Sequence, residues 1–359
     1  MKNPLRHRVL RFMIFLGSLV VLLLVVLTQR RLFDGTKEDE WVEGKSLPDS
    51  RPLLVKVSPS PDRGFHHPYF LLLPETLDDS GRNVHLLVEP NNTGTSDDDL
   101  ELHQESALRL ALRGHPRALA ERLAVPLLVP AFPRPRTDWR IYTHALDRDT
   151  MRVEEGDLAH IDLQLLAMVR HARVVLESTS IETTQGLWMH GFSASGSFVN
   201  RFAALHPGEV QAVAAGGLNA LPILPFGDWE GTELPYPIGV SDLAELTGTP
   251  FDADAFSRVE QWVYMGELDR NDTLPYGDAW SDEEKQLISS LLGETMMPDR
   301  WQRVQTLLAD ASQIRTVTYV GVGHEIPPEI LDELVTFFRS GAQGKGPDPD
   351  EPDRGQEIQ

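Results

Sequence analysis

The sequence predicts an α/β fold with a mainly parallel sheet of eight strands flanked by helices. Short apolar runs alternate with longer amphipathic segments along residues 51–340, and no internal repeat interrupts this alternation. Such alternation is typical of βαβ units, in which each helix connects two parallel strands. The composition agrees, because 41% hydrophobic and 24% charged residues in a chain of 359 are enough for one large core.

The predicted strands are short apolar runs, and the predicted helices are longer segments with an apolar face. In the second helix, Leu158, Ile161, Leu165 and Met168 recur at helical spacing. The strands lie at 53–57, 69–73, 84–89, 125–131, 187–190, 210–215, 261–265 and 314–320. The helices lie at about 98–123, 156–177, 196–206, 282–292, 299–311 and 328–340.

One stretch, residues 217–258, breaks this alternation. It combines five prolines with large aromatic residues, among them Phe226, Trp229 and Tyr236. Loops of this length inside compact domains usually have a function, often as lids. We therefore predict an irregular cap insertion over one end of the sheet.

The N-terminal segment predicts a membrane anchor. Residues 12–27 contain no charged residue, and no small-x-small cleavage site follows them. A membrane span needs about 20 mostly apolar residues. We therefore predict an uncleaved signal anchor within residues 1–31, with a span over about 9–28. A cleaved signal peptide and a buried core helix are the alternatives.

Basic residues flank the predicted span, four before residue 12 and three within residues 28–37. The slight excess before the span favours a cytoplasmic N-terminus. We therefore predict attachment to the membrane through this helix with the domain over 51–340 on the extracytoplasmic side, or export if the segment is cleaved. The polar and acidic residues 32–50 predict a linker, and the Gly-, Pro- and acid-rich residues 341–359 predict a disordered tail.

The charge of the chain argues against nucleic acid as a partner. The formal net charge is −21, and six of the 33 Lys and Arg residues lie in residues 1–31, which hold no acidic residue. The rest of the chain therefore carries 27 basic against 54 acidic residues, and so acidic a surface repels phosphate backbones. Because the chain has no cysteine, disulfides, Cys-ligated metals and a Cys nucleophile are excluded.

The most informative motif lies where the fifth predicted strand meets a helix. Residues 187–190 run directly into Gly191-x-Ser193-x-Ser195. A serine at a strand-to-helix turn needs small residues on both sides, because the strained backbone crowds them. The helix that follows directs its N-terminal amides and its positive dipole end at the serine, which favours a developing anion. Ser193 is the candidate nucleophile, and Ser195 and Ser197 are the alternatives.

This motif resembles the nucleophile elbow of the α/β-hydrolase superfamily, usually Gly-x-Ser-x-Gly, with Ser195 in place of the second glycine. The superfamily places its catalytic residues in the chain order serine, acid, histidine, each at the carboxyl end of a strand. Two later strands end in patterns that resemble its acid and histidine loops. These patterns are Gly-x-x-Asp269 after residues 261–265 and Gly-x-Gly-His324 after residues 314–320.

The resemblance implies a role for each of these residues. Ser193 would be the nucleophile, His324 the general base, and Asp269 the acid that holds the imidazole in the correct tautomer. Asp272 lies on the same loop and is the alternative acid. His190, in contrast, lies on the strand before the elbow, where we expect a buried structural histidine.

The oxyanion hole of such an enzyme needs two backbone amides. The resemblance implies that the first is the N–H of Ala194, directly after the nucleophile. The second should come from the loop over residues 89–94 after the third strand, where Asn91 or Asn92 supplies the donor. An ordinary Asn-rich turn is the alternative interpretation of this loop.

The resemblance implies a serine hydrolase that cleaves a small-molecule or polymeric carboxylic ester through an acyl-enzyme. The pattern Phe-x-x-Arg-Phe-Ala-x-x-His-Pro over residues 198–207 is similar to esterases of the polyhydroxybutyrate-depolymerase and feruloyl-esterase kind. Trp139 and Tyr142 suggest an apolar or aromatic acyl group, unless they only pack the cap. No motif for a metal, phosphate or dinucleotide site is present, so no cofactor is predicted.

Two other functions stay open at this point. A peptidase similar to the prolyl-oligopeptidase group would share the fold and the order of the catalytic residues. A catalytically inactive hydrolase fold could instead act as a surface binding module. The presence of serine, acid and histidine in one chain argues against the inactive module, but fold alone does not establish a reaction.

Overall fold

The structure, a computed structural model, describes residues 53–77 and 83–341. The predicted signal anchor, the linker and the tail beyond residue 341 lie outside these residues, so those three interpretations stay predictions. Within the two described ranges, no helix is both long and apolar enough to cross a membrane.

The strands confirm the predicted α/β architecture with a mainly parallel sheet. They are β1 Leu53–Val57, β2 Tyr69–Leu73, β3 Leu87–Val88, β4 Leu127–Pro130, β5 Leu187–Phe192, β6 Val210–Gly216, β7 Asp228–Trp229, β8 Thr232–Glu233, β9 Glu260–Gly266 and β10 Ile314–Tyr319. Eight of them form one sheet in the order β1-β2-β4-β3-β5-β6-β9-β10, and β7 and β8 form a small antiparallel pair. Strand β2 is antiparallel to both its neighbours, whereas every other adjacent pair in the large sheet is parallel.

The helices lie between these strands, as the alternation of segments predicts. They are α1 Leu100–Leu112, α2 His115–Leu123, α3 Arg148–Met151, α4 Ile161–Glu177, α5 Ala194–Leu205, α6 Leu243–Thr247, α7 Ala253–Phe256, α8 Asp282–Leu292, α9 Trp301–Leu308 and α10 Pro328–Gly341. Short 3₁₀ turns span Pro61–Arg63 and Thr143–Ala145, and a π-helical turn spans Met296–Arg300.

The helix predicted over about 156–177 begins at Ile161, so Leu158 lies before it. Two other predicted elements differ more from the structure. The single helix predicted over 98–123 is two helices, because Gly114 between them adopts a left-handed φ of +84°. The strand predicted over 84–89 is only Leu87–Val88, and Val84 pairs through an isolated bridge to Thr183. Neither difference changes the order of the sheet.

The sheet separates two apolar layers, because successive side chains along a strand point to opposite faces. On β5, Trp188 packs against Phe338 of α10, with ring centroids 5.3 Å apart. Its neighbour Met189 lies in the other layer, which also contains Phe198 of α5. Because β5, β6, β9 and β10 are parallel, their carboxyl ends meet at one edge of the sheet, where loops carry the polar residues described below.

The predicted cap insertion over 217–258 contains β7, β8, α6 and α7, and the rest of it is irregular. It is closely packed against the main core. Tyr236 is fully buried and donates its hydroxyl hydrogen bond to the carbonyl of Leu146. Arg148 forms an ion pair with Asp242 and donates to the carbonyl of Tyr236. The insertion is therefore held in place by buried contacts.

Candidate active site

The turn between β5 and α5 holds Ser193 in a strained backbone conformation. Its φ is +65° and its ψ is −128°, a region that non-glycine residues rarely occupy. Gly191 allows this turn, because a Cβ atom there would overlap the backbone of Ser195. The N–H of Ser193 donates to the carbonyl of Gly216 on β6, at 2.9 Å. The strand-to-helix turn that the sequence motif predicts is therefore present.

The two alternative serines lie beneath this turn. Ser195 is buried, and its hydroxyl donates to the carbonyl of Phe192 at 2.9 Å while it accepts from the N–H of that residue. Ser197 is also buried, inside α5. Ser193 alone among the three serines is partly exposed to solvent. An incoming substrate could therefore reach Ser193 without a rearrangement of the helix.

The loops after β9 and β10 bring Asp269 and His324 together. Nδ1 of His324 lies 2.8 Å from Oδ2 of Asp269. The Asp269 side chain is 1% exposed, whereas that of His324 is 29% exposed. The two loops are themselves joined by a hydrogen bond from the N–H of Leu268 to the carbonyl of Val322, at 2.8 Å. A buried carboxylate therefore orients an imidazole that is itself partly exposed.

Asp272, the alternative acid, lies elsewhere. Its Oδ2 accepts from Nη2 of Arg300, a fully buried side chain, and its Oδ1 accepts from the N–H of Leu274. Both carboxylate oxygens are therefore engaged away from His324. Of the two acids that the sequence leaves open, the structure brings only Asp269 into hydrogen-bond contact with the histidine.

Ser193 and His324 are joined indirectly. The hydroxyl of Ser193 donates to Oδ1 of Asn219 at 3.1 Å. Nδ2 of Asn271 lies 3.1 Å from Oγ of Ser193 and 3.0 Å from Nε2 of His324. The carboxamide of Asn271 therefore bridges the two groups. No direct hydrogen bond joins Ser193 to His324 in this arrangement.

Neither of these asparagines is among the site residues predicted from the sequence. Asn219 follows β6 by three residues, and Asn271 follows Asp269 by two. Their positions in the sequence could have indicated them. Polar residues just beyond the carboxyl ends of adjacent parallel strands meet at the same edge of the sheet. Gly217, also beyond β6, leaves room for Phe192 and His324, because a Cβ there would lie 2.7 Å from Cζ of Phe192 and 3.2 Å from Cε1 of His324.

The predicted oxyanion donors are placed as follows. Ala194 is the first residue of α5, so its buried N–H belongs to the helix N-terminus, where amides lack intrahelical partners. The Asn91 side chain has another use. It donates to the carbonyl of Phe132 at 2.8 Å, accepts from that residue's N–H at 3.0 Å, and lies 3.1 Å from Nε2 of His144. The Asn91 side chain is therefore engaged with residues 132 and 144 and not with Ser193.

Asn92 is partly exposed, and its Oδ1 accepts from the N–H of Gly94 at 3.1 Å. The loop is therefore an ordered turn fastened at Asn91, and no hydrogen bond joins either asparagine to Ser193. The buried ring of His144 contributes to the fastening in its neutral form, since burial lowers its pKa to about 3.

A second acid–histidine–hydroxyl series lies inside the domain. Nδ1 of His190 is 2.6 Å from Oε2 of Glu89, and Nε2 of His190 is 3.1 Å from the hydroxyl of Tyr264. All three side chains are buried, so the prediction that His190 is buried is confirmed. Burial raises the pKa of the Glu89 carboxyl despite the opposing effect of His190, and burial raises the pKa of Tyr264 well above its usual value.

Within residues 53–77 and 83–341, no group of three or more His, Asp or Glu side chains is arranged to hold a metal ion. The polar side chains joined by hydrogen bonds around Ser193 are those of Asn219, Asn271, His324 and Asp269. Such a set can move a proton and activate a hydroxyl without further groups.

No family model and no curated protein matches this sequence. Solved structures do resemble it. Poly(aspartic acid) hydrolase-1 from Sphingomonas sp. KT-1 has a TM-score of 0.50 and 13% sequence identity, over 83% of this chain and 99% of that chain. A poly(3-hydroxybutyrate) depolymerase from Bordetella parapertussis has a TM-score of 0.47 and 15% identity, over 83% and 92% of the two chains. An S-formylglutathione hydrolase from Agrobacterium tumefaciens has a TM-score of 0.46 and 12% identity, over 81% and 94%.

At identities this low, the likeness to poly(aspartic acid) hydrolase-1 concerns the fold and leaves the reaction open. The fold evidence agrees at three levels: the order of the eight strands, the strained serine between β5 and α5, and the acid and histidine that follow β9 and β10. This chain has the α/β-hydrolase fold that its motifs predict.

Proposed function

We propose that this protein is a serine hydrolase that cleaves a carboxylic ester through an acyl-enzyme. One observation carries the proposal. Ser193 occupies a strained turn at the N-terminus of α5, and the paired His324 and Asp269 lie close enough that one carboxamide contacts both the serine and the histidine. A serine becomes a useful nucleophile only when a base stands next to it and a third group orients that base.

Each group would act in turn. Oγ of Ser193 attacks the ester carbonyl carbon while Nε2 of His324 takes the hydroxyl proton. The resulting oxyanion accepts hydrogen bonds from the N–H of Ala194 and from a backbone N–H of the Asn91–Asn92 turn. His324 then gives its proton to the leaving alcohol, and a water molecule activated in the same way hydrolyses the acyl-enzyme and restores Ser193.

Electrostatics favour this assignment of roles. Asp269 accepts from Nδ1 of His324, which makes Nε2 the nitrogen whose lone pair can receive a proton. The carboxylate is buried, so its attraction for the imidazolium that forms is screened little by water. The N-terminus of α5 adds the positive end of a twelve-residue helix at the position where negative charge develops.

The exposed aromatic residues favour an ester with an apolar group. Trp139 is 44% exposed and Tyr276 is 62% exposed. The ring of Trp139 lies next to Gly277, so it reaches the loop that follows Asp269. Tyr142, which the sequence suggests as a second substrate contact, is instead buried beneath the guanidinium of Arg134, 3.5 Å from its ring centroid.

The location of the enzyme is a further part of the proposal. The uncharged run over residues 12–27 would anchor it with the hydrolase domain on the extracytoplasmic side, or direct its export if the segment is cleaved. Fractionation of expressing cells, followed by N-terminal sequencing of the mature protein, distinguishes these outcomes from a cytoplasmic enzyme.

The reaction is tested by labelling the full-length chain with a fluorophosphonate probe and mapping the modified residue by mass spectrometry. We expect labelling at Ser193 that is lost in Ser193→Ala and His324→Ala. Ser195→Ala is the matched control, because that serine lies in the same turn with its hydroxyl engaged internally. Modification of Ser195 or Ser197 would contradict the assignment of the nucleophile.

Substrate class is tested next, with p-nitrophenyl esters of increasing acyl length beside p-nitroanilide dipeptides. We expect hydrolysis of the esters. Turnover of the peptides alone would favour the peptidase alternative. Absence of both labelling and turnover in well-folded protein would favour the inactive binding module.

A further inference from the structure

The carboxamide of Asn271 lies between the two atoms that must exchange a proton in the proposed reaction. Its Nδ2 is 3.1 Å from Oγ of Ser193 and 3.0 Å from Nε2 of His324, and it is 3.4 Å from Oδ1 of Asn219. Direct transfer needs the serine hydroxyl to donate to Nε2. In the structure, the Asn271 amide holds that place.

The hydrogens on the Asn271 amide, the Ser193 hydroxyl and Nδ1 of His324 all have acceptors in this arrangement. An amide nitrogen carries two hydrogens, which can serve Ser193 and His324 at the same time. The hydroxyl hydrogen of Ser193 goes to Oδ1 of Asn219, and the Nδ1 hydrogen of His324 goes to Asp269. Each of these hydrogens therefore has an acceptor, although the nucleophile and the base are not hydrogen-bonded to each other.

The two asparagines differ in their freedom to move. Asn219 is buried, and its backbone carbonyl accepts from the hydroxyl of Thr273 at 2.6 Å. That hydroxyl in turn accepts from Nε1 of Trp280. Asn271 is exposed. Its backbone N–H is anchored to Oδ1 of Asp269 at 2.9 Å, but its side chain can rotate into solvent without breaking that bond.

We propose that Asn271 is a gating residue for the proposed reaction: its carboxamide keeps Ser193 and His324 apart until a substrate displaces it. An ester carbonyl that approaches Oγ enters the space that the amide occupies. Once the amide turns outward, the lone pair of Nε2 is free and the hydroxyl of Ser193 can turn from Asn219 to His324. This inference rests on the proposed function, because it concerns the coupling of the same nucleophile and base.

The test compares rates of fluorophosphonate labelling at Ser193 in the full-length chain. We expect Asn271→Ala to react about fivefold faster than the wild type, the factor that corresponds to one solvent-exposed hydrogen bond. Arg270→Ala is the matched control, since Arg270 is the exposed neighbour on the same loop, and its rate should equal that of the wild type. A rate for Asn271→Ala at or below the wild-type rate would overturn the gate.

A second variant separates gating from a structural role. In Asn271→Asp the side chain offers only acceptors, so it favours the form of His324 that carries a hydrogen on Nε2. We expect slower labelling at neutral pH and a rise in the pH of half-maximal rate. A loss of rate at all pH values with no change in that midpoint would indicate a structural role and overturn the proposal.

The same experiment distinguishes the gate from the hydrolase proposal. If neither wild type nor Asn271→Ala is labelled while both unfold cooperatively, the hydrolase proposal fails and the gate fails with it. If the wild type is labelled at Ser193 and Asn271→Ala is not faster, only the gate fails. Labelling of Asn271→Ala with little labelling of the wild type supports both.

Discussion

The molecule contains two series of acid, histidine and hydroxyl groups, and they differ mainly in where the fold puts them. Asp269, His324 and Ser193 lie on loops at the open carboxyl edge of the sheet. Glu89, His190 and Tyr264 lie at the end of β3 and on β5 and β9, within the buried layers. Each series pairs a carboxylate oxygen with Nδ1 of a histidine, at 2.8 Å and 2.6 Å respectively.

This difference shows that an acid, a histidine and a hydroxyl in hydrogen-bond contact do not by themselves form an active site. The hydroxyl of the buried series belongs to Tyr264, whose burial raises its pKa and leaves no path for a substrate. The hydroxyl of the open series belongs to Ser193, in a strained turn and partly exposed. We therefore expect substitutions in the open series to change activity and those in the buried series to change stability.

The largest expected effect separates the two hydroxyls. Ser193→Ala should reduce ester hydrolysis by at least about a thousandfold, because the attacking atom is lost. Tyr264→Phe should leave activity within about threefold and lower the free energy of unfolding by about 1 kcal/mol, through loss of one hydrogen bond to His190. Steady-state kinetics and urea denaturation of both variants measure these effects. A Tyr264→Phe enzyme as inactive as Ser193→Ala would contradict the comparison.

The next effect separates two acids on one loop. Asp269→Asn should lower kcat by about 10²- to 10⁴-fold with little loss of stability, because the imidazole is no longer held in its correct tautomer. Asp272→Asn should instead preserve activity per folded molecule. It should cost about 3–5 kcal/mol of unfolding free energy, because Arg300 is left buried without its counter-charge. If the two variants change kcat equally, Asp269 is not distinguished from Asp272 as the acid, and the assignment is wrong.

The buried series itself is tested through the hydrogen bond between Glu89 and His190. His190→Leu should lower the free energy of unfolding by about 3–5 kcal/mol, because the Glu89 carboxyl is left buried without a partner. The double variant Glu89→Leu/His190→Leu should recover most of that loss, since it removes both polar groups. Chemical denaturation of the two variants and the wild type checks this. If the double variant is less stable than His190→Leu, the two side chains do more than offset the cost of burying each other, and this account is wrong.

The last effect is a gradual one that concerns pH and a third buried acid. Burial raises the pKa of Asp147 to about 7, against the opposing hydrogen bonds from Thr150. Between about pH 4 and 7 the folded chain retains a proton that the unfolded chain has lost. Stability therefore falls as pH rises, by at most about 1.4 kcal/mol per pH unit.

Asp147→Asn is the matched variant, because all three hydrogen bonds to the carboxylate, from Tyr142 and Thr150, are accepted by Oδ1. It removes the titration and retains this acceptor. Urea denaturation at pH 4.5, 6 and 8 should show the wild type losing stability relative to Asp147→Asn up to pH 7 and no further change above it. If the unfolding free energies of the two proteins change with pH in the same way, the titration of Asp147 does not cause the pH dependence.

Much of the fold and part of the candidate site follow from the sequence alone. Strands β1 and β2 lie at the predicted residues, because an apolar run flanked by polar residues is a local signal. The small residues around Ser193 and the glycines before Asp269 and His324 also act locally, by permitting sharp turns at strand ends. These patterns were enough to predict the fold class and to nominate the three residues.

The remaining features were decided by contacts between segments distant in the chain. Placing β4 between β2 and β3 depends on pairing across the sheet, and so does the choice of Asp269 over Asp272. The bridge formed by Asn271, and the use of Asn91 to hold the carbonyl of Phe132, depend on which loops meet at one edge. A sequence records which groups are present, but distance and burial determine which of them can react, and both exist only after the chain has folded.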